Sequence, residues 1–169
     1  MLPPRAILFD LDGTLTEPLL DFAQIRREMG VEAFGILEAL ETFPAERRNE
    51  AEQVLLRHER TAAERSRLNP GCRELLELLD GRLRRAVITR NSRESAERVC
   101  GIHGLTFDLV IAREFGLFKP SPEPVLHACT ALGVDPADAW MVGDGRFDVE
   151  AGLAAGARTV WVSHDRPKA

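Results

Sequence analysis

The 169-residue chain contains no tyrosine, two tryptophans and three cysteines. We have no physical account of the missing tyrosine. Cys72, Cys100 and Cys129 are odd in number, widely spaced and without a metal-ligand pattern. That argues against a disulfide framework or a cysteine-held metal, and the expectation is reduced thiols, mostly in the core of a cytoplasmic protein. No apolar run exceeds strand length, so no membrane-spanning segment is expected. Residues 1–5 lead straight into a strand pattern, so no signal peptide is expected. Positive charge is not in surplus: 22 Lys and Arg face 27 Asp and Glu, for a net charge of −5. The composition gives no reason to expect a nucleic-acid partner.

Hydrophobic residues make up 44% of the chain and charged ones 29%, enough for one domain with a sizeable core and a small insertion. The chain is organised around residues 5–16. Ala6, Ile7, Leu8 and Phe9 form an unbroken apolar run, as in a parallel strand covered on both faces. The run ends on Asp10, followed by Asp12 and Gly13. Ligands of open parallel sheets bind at the carboxyl ends of strands. Two carboxylates this close repel unless a cation, a proton or a donor intervenes. Alone, the stretch reads either as a solvated turn or as a site for a hard metal and a phosphate.

Residues 21–67 read as helices. Asp21 caps a helix over 22–29 with Phe22, Ile25 and Met29 on one face, and Gly30 ends it. A second helix, about 33–42, holds Phe34, Ile36, Leu37 and Leu40. A long charged helix, about 45–66, follows Pro44, and its charge run reads as a solvated face. After the return at Asn69, strand and helix alternate. Strands are expected over 84–91, 107–112, 138–144 and 159–163, with helices over 72–80, from 92 or 93 to about 101, over 123–132 and over 147–155. The alternation predicts an α/β domain with a parallel sheet and right-handed crossovers.

Four stretches end or follow strands with polar groups: Asp10 and Asp12, Thr89-Arg90-Asn91, Lys119, and Asp144 with Asp148. A parallel sheet puts them at one edge. Four carboxylates, a hydroxyl and a lysine suit phosphoryl transfer, in which alignment and charge neutralisation supply most of the catalysis. Mg²⁺ would let a carboxylate approach an anionic phosphate.

In order, Asp10-Leu-Asp-Gly-Thr14, Thr89, Lys119-Pro120 and Gly143-Asp-Gly-Arg-Phe-Asp148 resemble the four motifs of the haloacid dehalogenase superfamily. The likeness is to the phosphoglycolate phosphatase-like branch with a small helical cap. It covers roughly residues 5–16 and 69–163. It implies a Rossmann-like three-layer core over 1–16 and 69–169, with a five-stranded sheet in the order 3-2-1-4-5. A helical cap over 17–68 would be inserted after strand one. It further implies a Mg²⁺-dependent phosphatase acting on a small phosphorylated metabolite through an aspartyl-phosphate. Asp10 would be nucleophile and metal ligand. Asp12 would be general acid and base and reach the metal through its backbone carbonyl. Thr89 and Lys119 would bind the phosphoryl group, Asp144 would be a further metal ligand, and Asp148 would lie behind it, by way of water or Lys119. Two departures stand out: the segment between Thr16 and Asn69 is short for such a cap, and residue 143 is glycine where some members carry an acid.

Blander readings stand beside these. Arg90 either binds substrate or is an exposed strand-end arginine. Asn91 is expected to cap the following helix. His58, His103, His127 and His164 have no evident carboxylate partner and read as surface or structural. Trp140 and Trp161 read as core. Loss of Lys119 is expected to have a small or favourable effect on stability in the absence of metal and phosphate. A phosphomutase of the same fold, or a catalytically idle protein-binding module, remain alternatives; a dehalogenase is disfavoured because halide needs no proton from Asp12. The substrate and the choice between monomer and homodimer are not legible.

Overall fold

The computed structural model describes residues 3–32 and 35–164. Five strands form one parallel sheet in the order β3-β2-β1-β4-β5: β1 is Ala6–Phe9, β2 Arg84–Ile88, β3 Leu109–Ile111, β4 Ala139–Gly143 and β5 Arg158–Trp161. The described residues form seven α-helices: α1 (Phe22–Met29), α2 (Ile36–Thr42), α3 (Ala45–Glu64), α4 (Cys72–Leu79), α5 (Arg93–His103), α6 (Glu123–Leu132) and α7 (Arg146–Ala154).

The layers follow from the two-residue period of a strand. Ala6 and Leu8 of β1 join Ile88, Val125, Ala128 and Ala151 in an apolar cluster beneath α6 and α7. Ile7 and Phe9 point the other way, into a cluster with Leu76, Ala96 and Val99 beneath α4 and α5. Both faces of β1 are therefore covered, which is why its sequence shows no alternation.

The helices α1 to α3 build a third cluster of their own around Ile25, Met29, Leu37, Leu40 and Leu55. The chain enters and leaves this helical insertion at one place. Glu17 N–H donates to the Arg67 carbonyl (2.9 Å), Asn69 N–H donates to Leu15 (2.9 Å), and the Asn69 amide donates to the carbonyls of Thr14 (2.8 Å) and Thr16 (2.9 Å).

Several expectations need correction. Phe22 is half exposed because it opens α1 ahead of the Ile25 and Met29 stripe. Phe34 lies outside the described residues. The charged face of α3 is not wholly solvated: Glu59 is buried in the same stripe as Ala51, Leu55 and Ala63, because it meets a counter-charge. Trp161 is 62% exposed, since β5 is the sheet's edge strand, and Trp140 is half-buried. The helix expected to end near Gly101 continues to His103, with Gly104 in the left-handed cap.

Leu8 lies fully buried in the central strand. Leu8→Ala should lower the unfolding free energy by about 2–5 kcal/mol, read from urea denaturation.

Candidate active site

The carboxyl ends of the strands converge. Asp10 follows β1, its N–H bonded to the Val142 carbonyl at 2.8 Å, and Thr89 follows β2, its N–H bonded to Ile111 at 2.9 Å. Lys119 stands in the loop between β3 and α6, and Asp144 follows β4. Asp148 lies in the first turn of α7, where its Oδ2 accepts the N–H of Gly145 at 2.9 Å.

Lys119 is almost wholly buried, and its ammonium donates to Asp10 Oδ1 and to Asp148 Oδ1, each at 2.6 Å. Burial opposes its charge, but the two carboxylates outweigh burial and raise its pKa above the ordinary lysine value. Asp10, Asp144 and Asp148 each bring a carboxylate oxygen within 4.8 Å of the others. Burial, with Asp148 and Asp12 nearby, pushes the Asp10 carboxyl up to about 7 against the pull of Lys119.

Asp12 lies outside that cluster of three. Its Oδ2 accepts the side-chain amide of Asn91, and its Oδ1 lies 3.4 Å from the Thr16 hydroxyl. Burial, with smaller contributions from Glu59 and Asp144, pushes it up to about 6 even though the Asn91 and Thr16 bonds favour its charged form. Thr89 is buried beside it, its hydroxyl accepting the N–H of Asn91 at 3.1 Å. Asn91 therefore does not cap α5. Ser92 does, accepting the Ser95 N–H at 3.3 Å and freeing the Asn91 amide for Asp12.

Arg90 is not solvent-exposed. Its guanidinium lies 4.8 Å from the Phe118 ring centre and 4.6 Å from that of Phe147. It donates to the Lys119 carbonyl and, at 2.9 and 2.8 Å, to both oxygens of Glu38 on α2. Beside Glu38 a cavity of about 820 Å³ opens between the insertion and the core, lined by Val31, Ala39, Phe43, Pro120 and Phe147 among others.

Gly13 and Gly143 are required sterically. Gly13 has φ +79°, and a Cβ there would overlap the Asp144 carboxylate. A Cβ on residue 143 would overlap Asp148, so no side chain, acidic or otherwise, fits there without moving Asp148.

Sequence reasoning missed Asn91 as a partner of Asp12, Glu38 as a partner of Arg90, and His164. His164 Nε2 bonds the Gly13 carbonyl and lies 4.0 Å from Asp144 Oδ2, and His58 pairs with Glu28 at 2.9 Å, so two histidines do have carboxylate neighbours. Spacing carries no signal for such pairs, which are brought together only by the fold.

A hard divalent cation suits these groups. Three carboxylates with converging oxygens, with no sulfur or imidazole in the set, are the donors that Mg²⁺ prefers.

The family model of haloacid dehalogenase-like hydrolases matches residues 17–156. A haloacid dehalogenase-like hydrolase domain-containing protein of Arabidopsis thaliana is 31% identical, over 92% of this chain and 69% of that one. A phosphoglycolate phosphatase of Aquifex aeolicus is 32% identical, over 92% of this chain and 83% of its own length. The crystal structure of a HAD-superfamily hydrolase from Ehrlichia chaffeensis superimposes with a TM-score of 0.70 at 26% identity, covering 98% of this chain and 90% of that one. No helix among the described residues is long and apolar enough to cross a membrane.

The buried acids make stability depend on pH. Asp10 and Asp12 have folded-state pKa values above their unfolded value of 3.8, so between about pH 4 and 7 these two groups bind more protons in the folded chain than in the unfolded one. Metal-free protein should therefore lose stability as pH rises through that window, and Mg²⁺ should restore more at pH 8 than at pH 5, as thermal melts with chelator or with excess Mg²⁺ would show. The burial of Lys119 also reverses the expectation for its removal. Lys119→Ala strands Asp10 and Asp148 without their shared cation and should cost about 3–5 kcal/mol in metal-free protein at pH 8.

From its motifs, its sheet and its relatives, the chain belongs to the haloacid dehalogenase-like hydrolase family, in the branch that holds the phosphoric monoester hydrolases.

Proposed function

We propose that the protein is a Mg²⁺-dependent phosphatase of a small phosphorylated metabolite, phosphoglycolate-like in class, working through an aspartyl-phosphate. The observation that carries this reading is the Asp10 carboxylate at the end of β1, one oxygen held by Lys119 and two further carboxylates alongside.

The Asp10 carboxylate attacks phosphorus, and the bond to the leaving oxygen breaks. Asp12 gives its proton to that oxygen, then takes a proton from the water that attacks the phosphorylated Asp10. Inorganic phosphate leaves and both carboxyl groups return to their starting states. A carboxyl pushed up to about 6 is suited to both halves near neutral pH. Thr89 donates its hydroxyl to a phosphoryl oxygen, and Lys119 fixes the Asp10 rotamer while supplying positive charge. Asp10, Asp144 and the Asp12 backbone carbonyl would hold Mg²⁺, with Asp148 behind them. Mg²⁺ supplies charge neutralisation between the attacking carboxylate and the phosphate. Arg90, paired with Glu38, belongs in this reading to the substrate-facing wall, and the insertion over 17–68 acts as the cap that selects substrate.

Purified protein should release inorganic phosphate from p-nitrophenyl phosphate with Mg²⁺ and lose that activity in excess chelator. Asp10→Asn should reduce kcat by about a thousandfold or more with the fold intact by circular dichroism. Near-wild-type turnover by Asp10→Asn, or full activity in chelator, would overturn the mechanism. Transfer of the phosphoryl group between substrate positions with little free phosphate would make it a mutase.

A further inference from the structure

Glu59 and Arg113 form a pair that the chemistry above does not use. Glu59 sits on α3 of the insertion with its side chain only 1% exposed, and its Oε1 lies 2.5 Å from Arg113. Arg113 follows β3 on the core side, and its side chain is 17% exposed.

The pair closes on three consecutive residues of the loop after β2. Arg113 Nη1 lies 3.4 Å from the Arg90 carbonyl oxygen, its backbone N–H donates to the Asn91 carbonyl at 2.9 Å, and Ser92 N–H donates to Glu59 Oε2 at 3.1 Å. Helix capping does not explain this. Ser92 already caps α5 through its own hydroxyl, and Glu114 accepts the Arg93 N–H at 2.9 Å. The side chains of the pair hold the Arg90 carbonyl and the Ser92 N–H, one on either side of Asn91, whose side-chain amide holds Asp12 Oδ2. A buried ion pair is weak support for stability by itself, and here its hydrogen bonds end on the backbone of residues 90 and 92.

We propose that Glu59 and Arg113 are positioning residues: they hold the 90–92 loop so that Asn91 keeps the Asp12 carboxyl in one orientation for proton transfer. This rests on the reading of Asp12 as proton donor. The insertion thereby contributes to the chemical step through a residue that touches no substrate.

The role separates from a structural one by its dependence on the leaving group. Phenoxide needs a proton as it departs far more than p-nitrophenoxide does. Glu59→Gln and Asn91→Ala should each lower kcat/KM for phenyl phosphate by about tenfold, as misplacement of one catalytic group does. The loss for p-nitrophenyl phosphate should stay under about threefold. The double variant should be no worse than the poorer single variant, since both act on the same carboxyl. If Glu59→Gln does not fold, Asn91→Ala and Arg113→Lys carry the test, the latter keeping the charge without the planar fork. Equal losses on both esters, or no loss in a folded variant, would overturn the role. Active wild type with an unmoved ratio of the two esters removes this inference alone. Wild type that hydrolyses neither ester removes the phosphatase reading and this role with it.

Discussion

The buried ammonium of Lys119 is the contact on which the site depends. Three carboxylates at one sheet edge repel in a medium that screens them poorly, and each would bind a proton before tolerating the others. Lys119 reaches between two of them with bonds of 2.6 Å and keeps its own charge despite burial because both partners are present. That one cation connects three separate parts of the fold: the end of β1, the loop before α6 and the first turn of α7. Asp148 returns the constraint to the backbone by accepting the Gly145 N–H, so α7 cannot shift without disturbing Asp10.

The parallel sheet makes this convergence possible, and sterics decide which residues take part. Parallel strands deliver all their carboxyl ends to one side, so polar groups distant in sequence meet there. Asp148 then crowds residue 143 so closely that a side chain there would have to displace it, and Gly13, at φ +79°, lies against the Asp144 carboxylate. Glycine at 143 is therefore not a lost ligand. It is the space that the Asp148 side chain occupies.

Much of this was legible from residues alone, and the failures share a cause. The apolar run at 6–9 and the strand-helix alternation after Asn69 report burial on two faces, which is a local property. Asp10, Thr89, Asp144 and Asp148 are legible as neighbours because each sits at a strand end or a helix start, where topology decides position, whereas Lys119 lies in a loop and is legible only through its motif. Asn91 was misread because a polar residue before a helix looks like a cap, and only the location of Asp12 shows otherwise. Glu59 was lost among charges that face water, since one buried carboxylate has the same letter as an exposed one. Trp161 reads as core because a tryptophan in a strand is usually buried, although the expected order 3-2-1-4-5 already makes its strand an edge, where one side stays open to water.

The hydrogen bonds joining residues 14–17 to 67–69 have a consequence for how the chain assembles. To the core, the whole helical excursion is equivalent to a tight turn, because its two ends lie side by side and share backbone partners. The entropy of closing such an excursion grows only with the logarithm of its length. Helices could be added or removed between those ends at little cost to the sheet, provided that Asn69 still bridges Thr14 and Thr16. The strand ends and the insertion nevertheless stay coupled, through Asn69 at the seam and through the Glu59–Arg113 and Glu38–Arg90 pairs.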